Sequence, residues 1–304
     1  MDIAAVRESY CRQWAEDAAR MLELVRDLDD DVPHLLEQVF WDNAVLDADR
    51  SLKTFYAPLP GRKKFNAVSF DPVDSPPEIC DIGPYAALRV TLHRVLTLGD
   101  FDGPEAFFAA LSPKNRKKLR WLRNAVPALG AKIVPIENED GLDAFEKLYA
   151  AQFPKHPAGC PANAAVRRIY REFHRCGRSF SFLLLAPDGE PLSAALSYLC
   201  GDSCCFTHLT RSRSEYDKFS PGYYLTFRML TMLLAEHPEI KYFFMGPGDY
   251  DYKRAFLGKP FSIYRMERRA WWNWTGLLRL RFRRRKERRL WDADQGSTVS
   301  AANS

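Results

Sequence analysis

The sequence lacks the marks of a membrane-spanning, secreted or metal-binding protein. Its seven cysteines are an odd number without a CxxC pair, so neither a disulfide framework nor a zinc site is indicated. The longest apolar runs, such as residues 182–186, fall far short of the about 18 residues that cross a bilayer. The N-terminal segment has no apolar h-region. We therefore expect a cytoplasmic chain.

Histidine is also scarce, and none of the six is paired at metal-ligand spacing, so no metal is expected. What is present describes an ordinary globular protein: 304 residues, 46% hydrophobic and 27% charged, which excludes disorder. The charge is uneven along the chain. Residues 1–50 carry thirteen Asp and Glu against five Arg, whereas residues 276–291 carry eight Arg and Lys against one Glu. An anionic partner could therefore bind near the C-terminal end, although two solvated helices would give the same pattern.

Hydrophobic periodicity and turn residues predict a chain of helices and strands in which the pattern changes to β from Ser179. Helices are expected over Asp2–Asp30, Phe101–Leu111, Ser112–Gly130, Gly141–Ala151, Ala162–Cys176 and Tyr223–Glu236. Strands are expected over Phe65–Phe70, Ala87–Leu96, Ala131–Ile136, Ser179–Ala186, Pro191–Cys200, Ser203–Thr210, Lys241–Met245 and Phe261–Arg268. Among these strands, the three from Ser179 to Thr210 form an antiparallel meander by their turn chemistry.

The loop before the helix at Tyr223 combines cations with a helix start. It contains Arg211, Arg213, Lys218, Ser220 and Gly222. A helix N-terminus presents unpaired N–H groups, and glycine lets a phosphate approach the backbone closely. The loop is therefore a candidate anion site, but Pro and Gly at this place could simply begin a helix.

A second loop follows the strand that ends at Met245 and holds two carboxylates, two phenols and two cations within six residues. Its candidates for catalysis are Asp249, Tyr250 and Tyr252, and Lys253 is a candidate for substrate binding. A phenol can return a proton to a leaving thiolate, and a carboxylate can accept one from an amine. The alternative is a Gly-Pro-Gly turn that leads into a solvated helix.

From about Phe107 to Arg269, the chain resembles the GNAT-fold acyltransferases of the FemAB and CelD-like type. The residues that carry the resemblance are LSPKNRKKLRWLRNA, the meander with the segment through SPGYYLTFRML, and YFFMGPGDYDYKRAF. The resemblance implies a mixed, mainly antiparallel sheet flanked by helices, in two GNAT-like halves of which the first is degenerate. It also implies transfer of an acyl group from a thioester or an aminoacyl ester to an amine or hydroxyl.

The same resemblance assigns functional residues. Ser220, Pro221 and Gly222 fall on the family's donor-phosphate loop, with Tyr223 beside them, and Tyr252 and Lys253 fall on its YK motif. Acyl-CoA is thereby implied as the donor. The loop departs from the usual pyrophosphate pattern because it keeps a single glycine.

Three further features carry alternatives. His208 in the third meander strand is either a catalytic base or a packed, hydrogen-bonded histidine. Cys204 and Cys205 point to opposite faces of that strand, and burial explains them better than nucleophilic chemistry. The segment Trp271–Trp291 combines Trp with Arg, and is either an anchor on an anionic membrane or a helix that lays its Trp residues on the domain.

The domain prediction has four parts: an N-terminal half over 1–130, an acyltransferase domain over 131–270, a basic helix over 271–291 and a disordered tail over 292–304. The predicted function is transfer of an acetyl or longer acyl group from acyl-CoA to an envelope or exopolysaccharide precursor, in the cytoplasm. If Trp271–Trp291 is an anchor, the protein would lie at the inner face of the membrane. The alternatives are a transferase that uses aminoacyl-tRNA, and a non-catalytic scaffold that binds a membrane or protein partner.

Overall fold

The computed structural model describes residues 2–28, 44–46, 52–54, 64–70, 75–155 and 157–302. The chain divides into two compact units. The first contains Met1–Phe40, Arg94–Gly246 and Tyr250–Lys259, and the second contains Trp41–His93, Pro247–Asp249 and Pro260–Ser304. Residue 130 lies inside the first unit, so these units divide at other places than the predicted domain boundary.

The first unit contains most of the predicted elements. Its helices are α1 (Ile3–Val25), α2 (Gly103–Ala110), α3 (Pro113–Ala128), α4 (Glu139–Gln152), α5 (Pro161–Arg175), α6 (Pro221–Glu236) and α7 (Asp251–Ala255). Its strands are β6 (Lys132–Pro135), β7 (Phe182–Leu185), β8 (Pro191–Cys200), β9 (Ser203–Arg211) and β10 (Tyr242–Pro247). Strand β5 (Tyr85–Thr97) begins in the second unit and ends in the first.

The strands of the first unit pair in the order β10-β9-β8-β7-β6. The pairs β6/β7, β7/β8 and β8/β9 are antiparallel, as the meander predicted, whereas β9 and β10 are parallel. The fold class is thereby confirmed as a mixed, mainly antiparallel sheet flanked by helices. Parallel pairing of β9 and β10 requires a crossover connection, and α6 supplies it.

Local sequence signals explain where the helices begin. The Ser112 side chain accepts a hydrogen bond from the Asn115 N–H, and Pro113 occupies the first turn of α3. Gly130, just beyond this helix, adopts a φ of +81°, which glycine accommodates without a steric penalty. Asn138 caps α4 in the same way through the Gly141 N–H.

A large apolar cluster lies between the strands and helices α2, α3 and α6. It is rich in aromatic residues, and Phe107, Phe227 and Phe243 are at most 2% exposed. The opposite face of the strands packs on α5, where Tyr198 stacks on Phe173 at 4.0 Å between ring centroids. The sheet of the first unit is thus covered by helices on both faces.

In the second unit the strands pair in the order β2-β1-β3-β11, and β4 pairs antiparallel with the start of β5. Its elements are β1 (Ala44–Leu46), β2 (Leu52–Thr54), β3 (Lys64–Ser69), β4 (Ile79–Ile82), β11 (Lys259–Arg268) and helix α8 (Trp274–Ala302). Helix α8 continues to Ala302, whereas the sequence predicted a disordered tail from residue 292. No helix in the part of the chain that the structure describes combines the length and apolarity needed to cross a membrane.

Candidate functional site

Strand β9 carries a β-bulge in its middle. Leu196 pairs with His208 and Ser197 pairs with Phe206, so Thr207 is the extra residue. The bulge turns Thr207 toward α5, where its Oγ1 makes a hydrogen bond with the Tyr170 hydroxyl. Bulges bend a strand and re-aim its side chains, and they are common beside active sites.

His208 lies next to the bulge and is 4% exposed. Its Nδ1 is 3.0 Å from Thr207 Oγ1, and its ring is flanked edge-on by Phe145 and Tyr149 at 5.7 and 5.5 Å. This is the environment of a packed, hydrogen-bonded histidine, one of the two interpretations of the sequence. A role as catalytic base stays a prediction.

The cysteines of the same strand are buried. Cys204 is 0% exposed and Cys205 is 4% exposed. Burial raises the pKa of both thiols well above their ordinary value, so both are neutral thiols at physiological pH. A thiolate nucleophile is therefore not favoured at either position.

Strands β9 and β10 share only a short ladder. Residues 203–205 pair with residues 242–244, and β9 then continues to Arg211 with no further ladder pair to β10 among the described residues. Gly246, with a φ of +68°, marks this end of β10, and a Cβ there would lie 3.1 Å from the Phe206 carbonyl oxygen. The edge of β9 beyond the ladder is therefore backbone that a ligand could use.

The N-terminus of α6 packs beside this part of β9. A Cβ at Gly222 would lie 3.4 Å from Leu209 Cδ2, which is tight contact. Ser220 at the N-cap adopts a left-handed conformation, with φ of 46°, and its side chain makes no capping hydrogen bond. The N–H groups of Gly222 and Tyr223 therefore remain without a cap, and the sequence predicted an anion site here.

The predicted cations of this loop are on the surface. Arg211 and Arg213 are exposed, as is Lys218 in the short 3-10 helix Glu215–Phe219. Arg211 is 3.6 Å from Asp217, so part of its charge is already compensated. The backbone N–H of Arg211 donates to the Gln152 side chain, at 3.0 Å.

Helix α3 contributes residues that the sequence prediction did not include. Lys118 places its ammonium 4.6 Å from the Tyr223 ring centroid. Trp121, which is 49% exposed, stacks on Phe219 at 5.5 Å with an interplanar angle of 6°. Burial, with a smaller contribution from Lys114, lowers the pKa of Lys118. The sequence signals at this helix were the resemblance carried by LSPKNRKKLRWLRNA and a basic run before a Trp. The basic run is equally typical of a solvated helix.

Tyr223 connects the start of α6 with α7. Its ring stacks on Phe256 at 4.6 Å, and Phe256 directly follows α7. The Tyr223 hydroxyl is buried and has no hydrogen-bond partner among the described residues. Burial raises the pKa of Tyr223 to about 12. Tyr252 of α7 packs against the same apolar cluster as Tyr223.

The tyrosine loop, residues 246–253, holds the second group of predicted residues. Tyr250 is 58% exposed and stacks on Tyr252 at 6.1 Å. Burial raises the pKa of Tyr252 above its ordinary value, so its phenol stays protonated at neutral pH. Asp249 directly precedes Tyr250 but belongs to the second unit.

Lys253 is 2% exposed, and its Nζ donates a hydrogen bond of 2.8 Å to the Gly246 carbonyl oxygen. The ammonium also lies 5.3 Å from the Tyr250 ring centroid. This arrangement fixes the loop, whereas the sequence predicted a substrate-binding lysine. Binding of an acceptor by Lys253 stays a prediction.

A separate cavity of about 280 Å³ lies between the start of α4 and the end of α5. Glu139 lines it and is paired with Arg171 and Arg167. The hydrogen bond from Arg171, followed by that from Arg167, lowers the pKa of Glu139 to about 2, against the opposing effect of burial.

Across the described residues, no group of three or more His, Cys, Asp or Glu is arranged to hold a metal ion.

Residues 113–254 match the family model described as acetyltransferase (GNAT) domain. This segment begins at α3 and ends within α7, so it includes both the α6 N-terminus and the tyrosine loop. The match supports an acyltransferase domain of GNAT type in this segment, as the sequence resemblance implied. No curated protein matches the sequence.

Several solved structures are similar at low identity. FemX is 13% identical, with a TM-score of 0.46 over 57% of this chain and 61% of that chain. L-PGS from Bacillus licheniformis is 11% identical, with a TM-score of 0.44 over 71% of this chain and 72% of that one. A GCN5-related N-acetyltransferase from Sphaerobacter thermophilus is 10% identical, with a TM-score of 0.41 over 69% and 62%. The chain thus spans less than two thirds of the length of FemX.

Proposed function

We propose that the protein transfers an acyl group from acyl-CoA to an amine or hydroxyl of a cell-envelope or exopolysaccharide precursor. The observation that carries the proposal is the match of residues 113–254 to the acetyltransferase domain family. When bound, acyl-CoA supplies the activated thioester carbonyl. The groups that would bind the donor and transfer protons are side chains and backbone groups of this segment.

The start of α6 fits an anionic donor. The N–H groups of Gly222 and Tyr223 would bind a phosphate oxygen, because the positive end of the helix dipole and two uncapped donors coincide there. Ser220 supports this assignment, since a non-glycine residue in the left-handed region costs free energy and such strain concentrates at ligand sites. It adopts the conformation that a second glycine would provide in the usual loop.

Helix α3 would extend this site. Lys118 has a cation close to Tyr223, at the first turn of α6, and can neutralise a second phosphate charge. The stacked pair of Trp121 and Phe219 offers an exposed aromatic surface against which a purine ring could stack. The edge of β9 beyond the short ladder would bind the amide groups of the donor by backbone hydrogen bonds.

The proton-transfer roles belong to the tyrosine loop. Tyr252 would donate a proton to the leaving thiolate, because burial keeps its phenol protonated. Asp249 or His208 would accept the proton of the attacking amine or hydroxyl. Lys253 would hold the loop in shape through the Gly246 carbonyl oxygen.

The experiment that tests the donor site is thermal unfolding of the full chain with and without millimolar acetyl-CoA, and with a long-chain acyl-CoA. A ligand at a hundred times its Kd stabilises by about 2.7 kcal/mol, which raises the Tm of a protein of this size by roughly 5 to 10 °C. We expect this shift in the wild type, and its loss in Gly222→Glu.

Lys118→Gln is a second variant, because Gly222→Glu introduces contact with Leu209 and can weaken folding by itself. Lys147→Gln is the matched control, since Lys147 is also an exposed lysine on a helix. We expect a smaller ligand shift for Lys118→Gln only. If no acyl-CoA raises the Tm of the wild type, the proposal is wrong, and the alternatives are a transferase that uses aminoacyl-tRNA or a non-catalytic scaffold.

A further inference from the structure

Helix α8 presents two different faces. The inner face begins at Asn273 and includes Gly276 and Leu280, of which Asn273 and Leu280 are 5% and 3% exposed. A Cβ at Gly276 would lie 2.6 Å from Asn273 Oδ1 and 2.9 Å from Glu267 Oε2, so the helix start is packed closely on β11. Other residues of the second unit therefore cover this face at the start of the helix.

Ion pairs connect the same face to the residue before β4. Arg284 and Arg288 both pair with Glu78, directly before β4, and the Arg288 contact is 2.8 Å. Farther along, the guanidinium of Arg89 lies 4.9 Å from the Trp291 ring centroid. Side chains from three successive turns of α8 therefore contact other residues of the second unit.

The outer face carries a line of exposed apolar side chains. Trp274, Leu278, Phe282 and Leu290 are 61%, 40%, 66% and 56% exposed, and their intervals of four or eight residues spread them over about 160° of the helix surface. Trp271, 84% exposed, lies just before the helix. Leu278 and Leu280 are two positions apart, or about 200° around the helix, so the exposed line is opposite the packed face.

The exposure of two Trp residues argues against one of the two interpretations of the segment. A helix that lays its Trp residues on the domain would bury Trp271 and Trp274, and the structure exposes both. Trp291 does lie against the unit, beside Arg89.

Basic side chains lie among and beside the exposed apolar side chains. Those with no carboxylate within 4 Å, as far as the described residues extend, are Arg279, Arg281, Arg285, Lys286 and Arg289. The nearest acid along the helix, Glu287, is 3.6 Å from Arg283. The outer face thus combines a strong positive charge with exposed apolar side chains.

We propose that this outer face of α8 binds the surface of an anionic lipid bilayer, with Trp274 and Phe282 in the headgroup region and the arginines on lipid phosphates. Exposed aromatic and basic side chains on one face of a helix are the features of interfacial binding. A nucleic acid would use the arginines but would leave the apolar line in water. A second copy of the helix would bring like charges together, which argues against self-association through this face.

The test is flotation of the full chain with vesicles of phosphatidylcholine alone and with vesicles in which roughly a third of the lipid is anionic phosphatidylglycerol. We expect binding to the anionic vesicles only. Each basic residue near the surface contributes about 1 kcal/mol, or about fivefold, so Arg285→Gln/Arg289→Gln should lower the partition coefficient about thirtyfold. The matched control Lys147→Gln/Lys155→Gln removes the same charge elsewhere and should leave binding unchanged.

The apolar contribution is tested by Trp274→Ala/Phe282→Ala, with Ile3→Ala/Phe153→Ala as the control pair of exposed apolar residues. We expect the first pair alone to weaken binding, and lipids brominated in the acyl chain to quench tryptophan fluorescence less in that variant. Absence of binding to anionic vesicles would overturn the proposal. Binding that is unchanged in Trp274→Ala/Phe282→Ala would also overturn it. Binding of RNA with equal affinity would overturn it too and would indicate a nucleic-acid surface.

Discussion

The Nζ of Lys253 donates a hydrogen bond to the Gly246 carbonyl oxygen, so the two ends of the tyrosine loop are joined by a buried cation. A lysine that is 2% exposed has little access to a substrate, but it can fix the backbone that carries Tyr250 and Tyr252. Two roles for Lys253, loop fixation and acceptor binding, make opposite predictions about folding.

Lys253→Met should lower the free energy of unfolding by about 2 kcal/mol, because a hydrogen bond from a charged group is lost and a buried carbonyl is left without its donor. Urea denaturation at pH 7 measures this change. Lys259→Met is the control, since Lys259 is exposed. If Lys253→Met is as stable as the wild type and loses only affinity for the acceptor, then Lys253 binds substrate.

Tyr252→Phe should reduce turnover by roughly a hundredfold or more, because a general acid contributes on that order, while the KM for acetyl-CoA stays the same. The raised pKa of Tyr252 keeps the wild-type phenol protonated, so its turnover should persist to pH 10. Tyr250→Phe is the comparison, since Tyr250 is the other candidate acid. Unchanged turnover in Tyr252→Phe, with a loss in Tyr250→Phe, would transfer the role to Tyr250.

Tyr223→Phe should leave the protein as stable as before at pH 7, or more stable, because the hydroxyl that it removes is buried without a partner. The pKa of Tyr223 is raised to about 12 in the folded state, so the unfolded chain loses this proton first as the pH rises. Its contribution therefore lowers stability between about pH 10 and pH 12. Urea denaturation at pH 7, 9, 10 and 11 should show a smaller alkaline loss for the variant. A variant less stable at pH 7 would mean that the hydroxyl has a partner in solution.

Glu139→Gln should flatten the acid side of the stability profile. The pKa of Glu139 is lowered to about 2 in the folded state, so its ion pairs contribute stability above its ordinary pKa that is lost as the pH falls toward 2. The loss should shrink in high salt, since Glu139 and Arg171 are exposed. Parallel acid profiles for the variant and the wild type would show that these pairs contribute nothing in solution.

Gly276→Ala should destabilise the start of α8 by about 1–3 kcal/mol, because a Cβ would lie 2.6 Å from Asn273 Oδ1 and the close packing would have to open. Thermal unfolding measures the effect. Gly99→Ala is the control, since the nearest atom to a Cβ there is 3.8 Å away. An equal Tm for Gly276→Ala and the wild type would show that the helix start packs differently in solution.

The sequence by itself determined the local elements. The cap at Ser112, the Pro at the start of α3 and α6, and the turns of the meander are signals between near neighbours, so their physics is contained in a few residues. The resemblance on these elements also indicated the acyltransferase domain, and the match of residues 113–254 supports it. The helix at Phe101–Leu111 was predicted for the same reason and is α2.

Only the tertiary structure decided what the candidate side chains contact. Lys118 lies over Tyr223 and Trp121 on Phe219 because α3 and α6 share one apolar cluster, a contact between segments about a hundred residues apart. The burial of Lys253, the bulge at Thr207 and the outward direction of Trp274 arise in the same way. Hydrophobic periodicity shows that a helix has an apolar face and a polar face. Which neighbour covers each face depends on packing between distant elements.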